Sequence, residues 1–189
     1  MGWIVLGAIV VLAMLAGGIF NRLVALRNRA AGAWADIDVQ LKRRHDLVAN
    51  LVETVRGYVT HERETLESVV RARNQAETAR GSGDTKETAR AEGALTAQIR
   101  QLFALAEAYP QLKADTRFAD LHRSLEGLET EIQNARRYYN AVVRDFNTRI
   151  QSFPDLIFSR LMGFKERDFF ELEDRAEAAV PRVDFGTRA

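Results

Sequence analysis

The sequence contains no cysteine. Disulfides, thiolate metal sites, iron–sulfur clusters and a cysteine nucleophile are thereby excluded. Proline occurs only 3 times and glycine 12 times in 189 residues. So little helix-breaking material allows long uninterrupted helices and argues against an all-β domain. Charge of one sign is missing too: 27 Lys and Arg stand against 26 Asp and Glu, a formal net charge of +1. A general polyanion binder carries a clear basic excess, so no nucleic-acid partner is expected. What is present is a charge-balanced, helix-forming chain with room for one domain plus an anchor or tail.

Residues Trp3 to Phe20 read WIVLGAIVVLAMLAGGIF, without a charge. As a helix this run spans about 27 Å, close to the hydrocarbon thickness of a bilayer. A helix also satisfies its own backbone groups where lipid cannot. No Lys or Arg precedes the run and no Ala-x-Ala ends it, so an uncleaved membrane helix fits better than a signal peptide. Trp3 takes the place of an interfacial aromatic. Beyond the run come Arg22, Arg27 and Arg29, with no acid before Asp36. The positive-inside rule then puts a tiny N-terminus outside and the remaining chain in the cytoplasm. The expected location is a cytoplasmic membrane, with the lipid bilayer as first partner. Ala13 and Gly17 form a small-xxx-small pair that would let two such helices approach.

From Asn28 to Arg80 there is no proline, and Trp34, Ile37, Leu41, Val48, Leu51, Val52, Val55, Tyr58, Val59, Leu66, Val69 and Val70 recur at steps of three and four. This spacing predicts one helix of about 80 Å, continuous apolar stripe inward; a break near Gly57 is the alternative. Gly81-Ser82-Gly83 ends it, and Asp84 with Glu87 predicts a capping pair. A second helix is expected over about 85–108, stopped by Pro110. Asp115 caps the third, whose seam of Phe118, Leu121, Leu125, Leu128, Ile132, Tyr139 and Phe146 wants a partner along its whole length. Ser152 and Pro154 open a fourth, shorter segment that Gly163 ends, and the residues beyond extend that arm before fraying.

The expected fold class is therefore all-α: an N-terminal transmembrane helix followed by an up-and-down four-helix bundle with an unusually long first helix. The divisions are an anchor over 1–21, a cytoplasmic helical bundle over 22–172 and a charged tail over 173–189. The first helix outruns its neighbours, so its residual stripe calls for association with a second copy or another membrane protein. The helix-packing seam is expected at Trp34, Ile37 and Leu41 against the third helix.

The stretch LRNRAAGAWADIDVQLKRRHDLVANLVETVRGYVTHERETLESVVRAR resembles the signature of the LemA family of bacterial membrane proteins. The later stretch YYNAVVRDFNTRIQSFPDLIFSRLMGFKERDFFEL is similar to that family's second signature. The chain departs at Ala49, where members often carry proline, and at Phe20, where tyrosine is usual. The resemblance implies a single N-terminal membrane helix, a small external N-terminus and a helical bundle of up-and-down topology. It supplies no mechanism and no catalytic residues.

The residues three before His45, His61 and His122 are Lys42, Tyr58 and Ala119, so the Glu-x-x-His pairs of a di-iron bundle are absent. His61-Glu62 begins like a zinc-protease motif, but Thr65 replaces the second histidine. Neither a phosphate loop nor a Gly-x-Ser-x-Gly elbow occurs. No enzyme activity and no cofactor are expected. Lys42-Arg43-Arg44 is the only run of three basic residues. Helical register places Arg44 inside the apolar stripe, where it snorkels or pairs with an acid such as Glu126, Glu129 or Glu131. The function these features suggest is a membrane-anchored, non-enzymatic scaffold or interaction protein that self-associates. The alternative is an accessory or regulatory subunit docking one membrane partner, in envelope stress or membrane-protein quality control. A membrane remodeller finds no second amphipathic membrane helix in the sequence.

Overall fold

A computed structural model of the protein describes residues 1–59 and 62–171. The 173–189 tail and His61 lie outside the described residues. Among the described residues every regular element is helical. The first, α1, runs from Gly2 to Arg56, 55 residues without interruption. It passes through Ala49 and joins the apolar run directly to the domain. No residue of its most apolar 18-residue window is buried, whereas Leu23, Ala30, Ala33, Ile37, Leu41 and Arg44 onward are. One helix thus has a free apolar half and a half whose stripe is packed.

The expected helix over 28–80 does not form as one rod. It ends at Arg56, and a second helix, α2 (Arg63–Ser82), turns back. The N–H groups of Tyr58 and Val59 both donate to Val55 O, at 2.9 and 3.2 Å, closing the last turn of α1. Folding back lets the distal stripe pack on itself: Leu51, Val52, Val55 and Val59 share one cluster with Leu66 and Val69. Most of the distal stripe is thus covered by its own continuation, with Tyr58 left exposed, so the helix-length argument for association falls away.

Gly83, at φ 74°, ends α2 in the left-handed region. Next comes α3 (Thr85–Ala106), whose N-cap Asp84 accepts from the N–H groups of Lys86 and Glu87 at 2.8 and 3.0 Å. The Glu87 carboxylate accepts from Ser82 Oγ at 3.1 Å, so the pair is not the reciprocal box expected. The single-turn α4 (Pro110–Lys113) leads to α5 (Thr116–Gln151). Its cap is Asp115, which accepts the Phe118 N–H at 3.0 Å. Among the described residues there are therefore four long helices, but one is the folded-back half of the expected first. Among them α5 lies along α1, and α2 pairs with α3.

The expected fourth arm is only α6 (Asp155–Leu161), seven residues long. Ser152 does not cap it, since its hydroxyl donates to Thr148 O at 2.7 Å; Pro154 stands at the N-cap instead. From Phe164 to Glu171 the chain is not helical; it lies as a strap along α5. Asn147 donates to Arg167 O and accepts the Arg167 N–H, both at 2.9 Å. Asn140 does the same for Phe170, at 3.1 and 2.9 Å. Seven helical residues rise about 10.5 Å and three extended residues about 10 Å. The registers match, so two side-chain amides replace a neighbouring strand.

Candidate functional site

The middle of the domain holds a buried ionic cluster built from three helices. On α1, Arg44 and His45 are 4% and 2% exposed; on α3, Glu92 is 1% exposed. The Arg44 guanidinium lies 3.4 Å from Glu92 Oε2 and 3.2 Å from Glu129 Oε2 on α5. It also donates to Thr96 Oγ1 at 2.8 Å. His45 Nε2 stands 2.7 Å from Glu92 Oε1; a carboxylate accepts, so the imidazole proton sits on Nε2. The other nitrogen, Nδ1, is buried without a partner. From α2, Arg73 Nε donates to His45 O at 2.9 Å. Burying charge is costly unless it is paired and hydrogen-bonded, and here a guanidinium, two carboxylates and a hydroxyl satisfy one another across the helices.

The cluster opens sideways. Arg44, Thr96, Ile99, Phe103, His122, Leu125 and Glu129 line a groove of about 350 Å³ between α3 and α5. The Phe103 ring centroid is 4.2 Å from that of His122 and 5.9 Å from that of Phe118. The groove thus has an aromatic and aliphatic floor with a charged rim. Among the described residues no three His, Asp or Glu converge to hold a metal ion.

Polar ties hold the two ends of the domain. At the distal end Tyr58 donates to Asp115 Oδ2 at 2.5 Å. That bond, with the Phe118 N–H, holds the Asp115 carboxyl below its ordinary range and pushes the Tyr58 phenol up. The Glu87 and Lys86 N–H groups hold Asp84 low in the same way. Beside the strap, Lys86 Nζ is 2.6 Å from Asp168 and is raised by that carboxylate. Burial pushes the Tyr139 phenol up, and its hydroxyl donates to Asp168 O at 3.0 Å.

The seam residues are distributed over three apolar clusters. Ile37 and Leu41 share one buried cluster with Leu128, Ile132 and Tyr139, and Trp34 packs on it half-buried. The Trp34 ring lies 5.4 Å from Tyr139 and 5.5 Å from Phe170. Phe118 and Leu125 belong to the distal cluster, with Leu121 only partly buried. Phe146 joins Leu23 and Ile150 nearest the apolar half of α1. Trp3 is exposed, as are Arg22, Arg27 and Arg29. Arg27 sits 5.7 Å over the Phe164 ring. Of the acids considered for Arg44, the structure selects Glu129; Glu131 faces exposed Arg43 at 3.8 Å and Glu126 faces His122 at 3.5 Å. Sequence reasoning missed Glu92 and the burial of His45. The signal for Glu92 was its register with Ala89, Leu95 and Ile99 on the packed face of α3.

An all-helical domain carried on one long apolar N-terminal helix, and tied together by a buried ionic cluster, defines the class. The LemA family model matches residues 33–185, and the chain belongs to the LemA family. It is similar to Protein LemA of Metamycoplasma hominis, 27% identical over 176 residues, which cover 88% of this chain and 73% of that protein.

Proposed function

We propose that this protein is a membrane-anchored, non-enzymatic helical scaffold that self-associates. In this reading α1 crosses the bacterial cytoplasmic membrane, its N-terminus outside, and α1, α2, α3 and α5 form an up-and-down four-helix bundle in the cytoplasm. The observation that carries it is the continuity of α1. One uninterrupted helix serves as both anchor and bundle arm, so contacts in the membrane fix how the bundles face one another. The exposed Ala13 and Gly17 support close approach of two copies there.

A second reading, an accessory or regulatory subunit docking a membrane partner, draws on the groove between α3 and α5. Envelope stress and membrane-protein quality control are the settings proposed for it. Gentle extraction of the tagged full-length protein from native membranes, with the mass and composition of the complex measured, tests both. A complex of this chain alone supports the scaffold. A reproducible second protein in fixed ratio supports the subunit. A monomer in every mild detergent and in polymer-excised native bilayer overturns self-association.

A further inference from the structure

The connection between α5 and α6, and α6 itself, leave large apolar side chains in the open. Phe153, Ile157 and Leu161 are 81%, 58% and 84% exposed. Spacing by four puts Ile157 and Leu161 on one face of α6, with Phe153 just ahead of it. The opposite face is committed to the domain. Asp155 is buried and ion-paired with Arg149, and Ser159 donates to Ile150 O at 2.8 Å. The bare row is thus the outer side of a helix whose inner side is fully engaged.

Its place in the fold says what covers it. Ile150 packs in one cluster with Leu23 and Ile19, and the Phe164 ring lies 6.2 Å from that of Phe20. Arg149 lines the same depression as Val11, Leu15, Ile19 and Arg22. The row therefore stands beside the last turns of the apolar half of α1. Arg160 and Lys165 are exposed next to it, the composition that favours anionic headgroups; Glu166 is the acid nearby, hydrogen-bonded to Gln151.

We propose that α6 is a membrane-interface wedge: Phe153, Ile157 and Leu161 enter the bilayer that α1 crosses, while Arg160 and Lys165 meet anionic lipid headgroups. The proposal rests on the reading of α1 as a membrane helix and adds a second contact, more than 130 residues away in sequence. A span alone leaves the bundle free to turn about the axis of α1. Two contacts fix which face of the bundle looks along the membrane.

The absence of cysteine allows a clean test with full-length protein in phosphatidylcholine–phosphatidylglycerol vesicles. Ile157→Cys and Leu161→Cys carry an environment-sensitive fluorophore, with Leu12→Cys as the span control and Gln75→Cys as the solvent control. Nitroxide lipids labelled just below the headgroup are expected to cause a several-fold loss of emission at 157 and 161. Lipids labelled deep in the acyl chain do so at 12, and neither quenches at 75. Quenching at 12 without quenching at 157 and 161 overturns the wedge and leaves the span standing. Blue-shifted emission at 157 and 161 that lipid does not quench assigns the row to a second copy or another protein and overturns the wedge too. No quenching at 12 overturns the span and the wedge together.

Discussion

Arg44 pairs with two carboxylates from two other helices, Glu92 fully buried and Glu129 partly so. Removing one partner of a buried ionic group costs about 3–5 kcal/mol, because the charge left behind is uncompensated. Arg43 next to it faces Glu131 at 3.8 Å with both side chains more than half exposed, a pair worth about 0–1 kcal/mol. Arg44→Ala is therefore expected to lower the melting temperature by roughly 10 °C, and Arg43→Ala by a small fraction of that. Thermal unfolding followed by circular dichroism in mild detergent measures both. Equal shifts would show that the ionic cluster does not hold the helices together. Part of this was legible beforehand. The register of Arg44 within the stripe from Ile37 to Val48 marked it as a cation that either snorkels or pairs with an acid. Which acid was not legible, because Glu126, Glu129 and Glu131 are separated only by their angular position on a helix whose rotation the packing decides.

Gly83 and Gly127 are both exposed glycines, yet their backbones differ. Gly83 adopts φ +74° at the end of α2, and Gly127 is an ordinary helical residue within α5 with nothing within 4 Å of an added Cβ. A side chain at the left-handed position costs about 1–2 kcal/mol, whereas Ala in a helix interior gains about 0.5–1 kcal/mol over Gly. Gly83→Ala is expected to destabilise the domain and Gly127→Ala to stabilise it, read as opposite shifts of the urea midpoint. Shifts of the same sign would contradict the backbone geometry at one of the two. The sequence marked Gly81-Ser82-Gly83 as the break and Asp84 and Asp115 as starts, because caps and positive φ are local chemistry. It could not separate a straight helix over 28–80 from one folded at Gly57. Val48 to Val69 keeps helical periodicity across the bend, and a stripe of that kind is buried equally well by a neighbour or by its own continuation. The strap over 164–171 was hidden for a related reason. Its partner is a pair of asparagine amides two helical turns apart, and no pattern in the strap itself announces them.

At the scale of the whole molecule, the continuity of α1 means that bundle and apolar segment cannot be oriented separately. Whatever decides which way the segment enters a membrane decides where the ionic cluster and the groove end up. Arg22, Arg27 and Arg29 are the cations closest to the apolar run, and all three are exposed. Arg27 contacts the Phe164 ring, and because all three side chains are exposed their replacement is expected to leave the buried clusters intact. Orientation responds to Lys and Arg within about 15–20 residues of a span, and glutamate does little to offset them. Neutralising the three with glutamine removes every Lys and Arg between the apolar run and Lys42. On the proposed topology the expected result is mixed orientation: a reporter at the N-terminus, expected to be accessible from outside in the parent protein, becomes inaccessible in a substantial share of molecules. A cysteine at position 75 becomes reactive to an impermeant reagent in the same share. The two readouts must move together, because a rigid α1 links the two ends. If the N-terminal reporter moves and position 75 does not, the helix is broken between them in the membrane-bound protein, and the lever on which self-association depends is lost. If neither moves, orientation is set by charge further along the bundle, and Lys42, Arg43 and Lys165 are the next residues to neutralise.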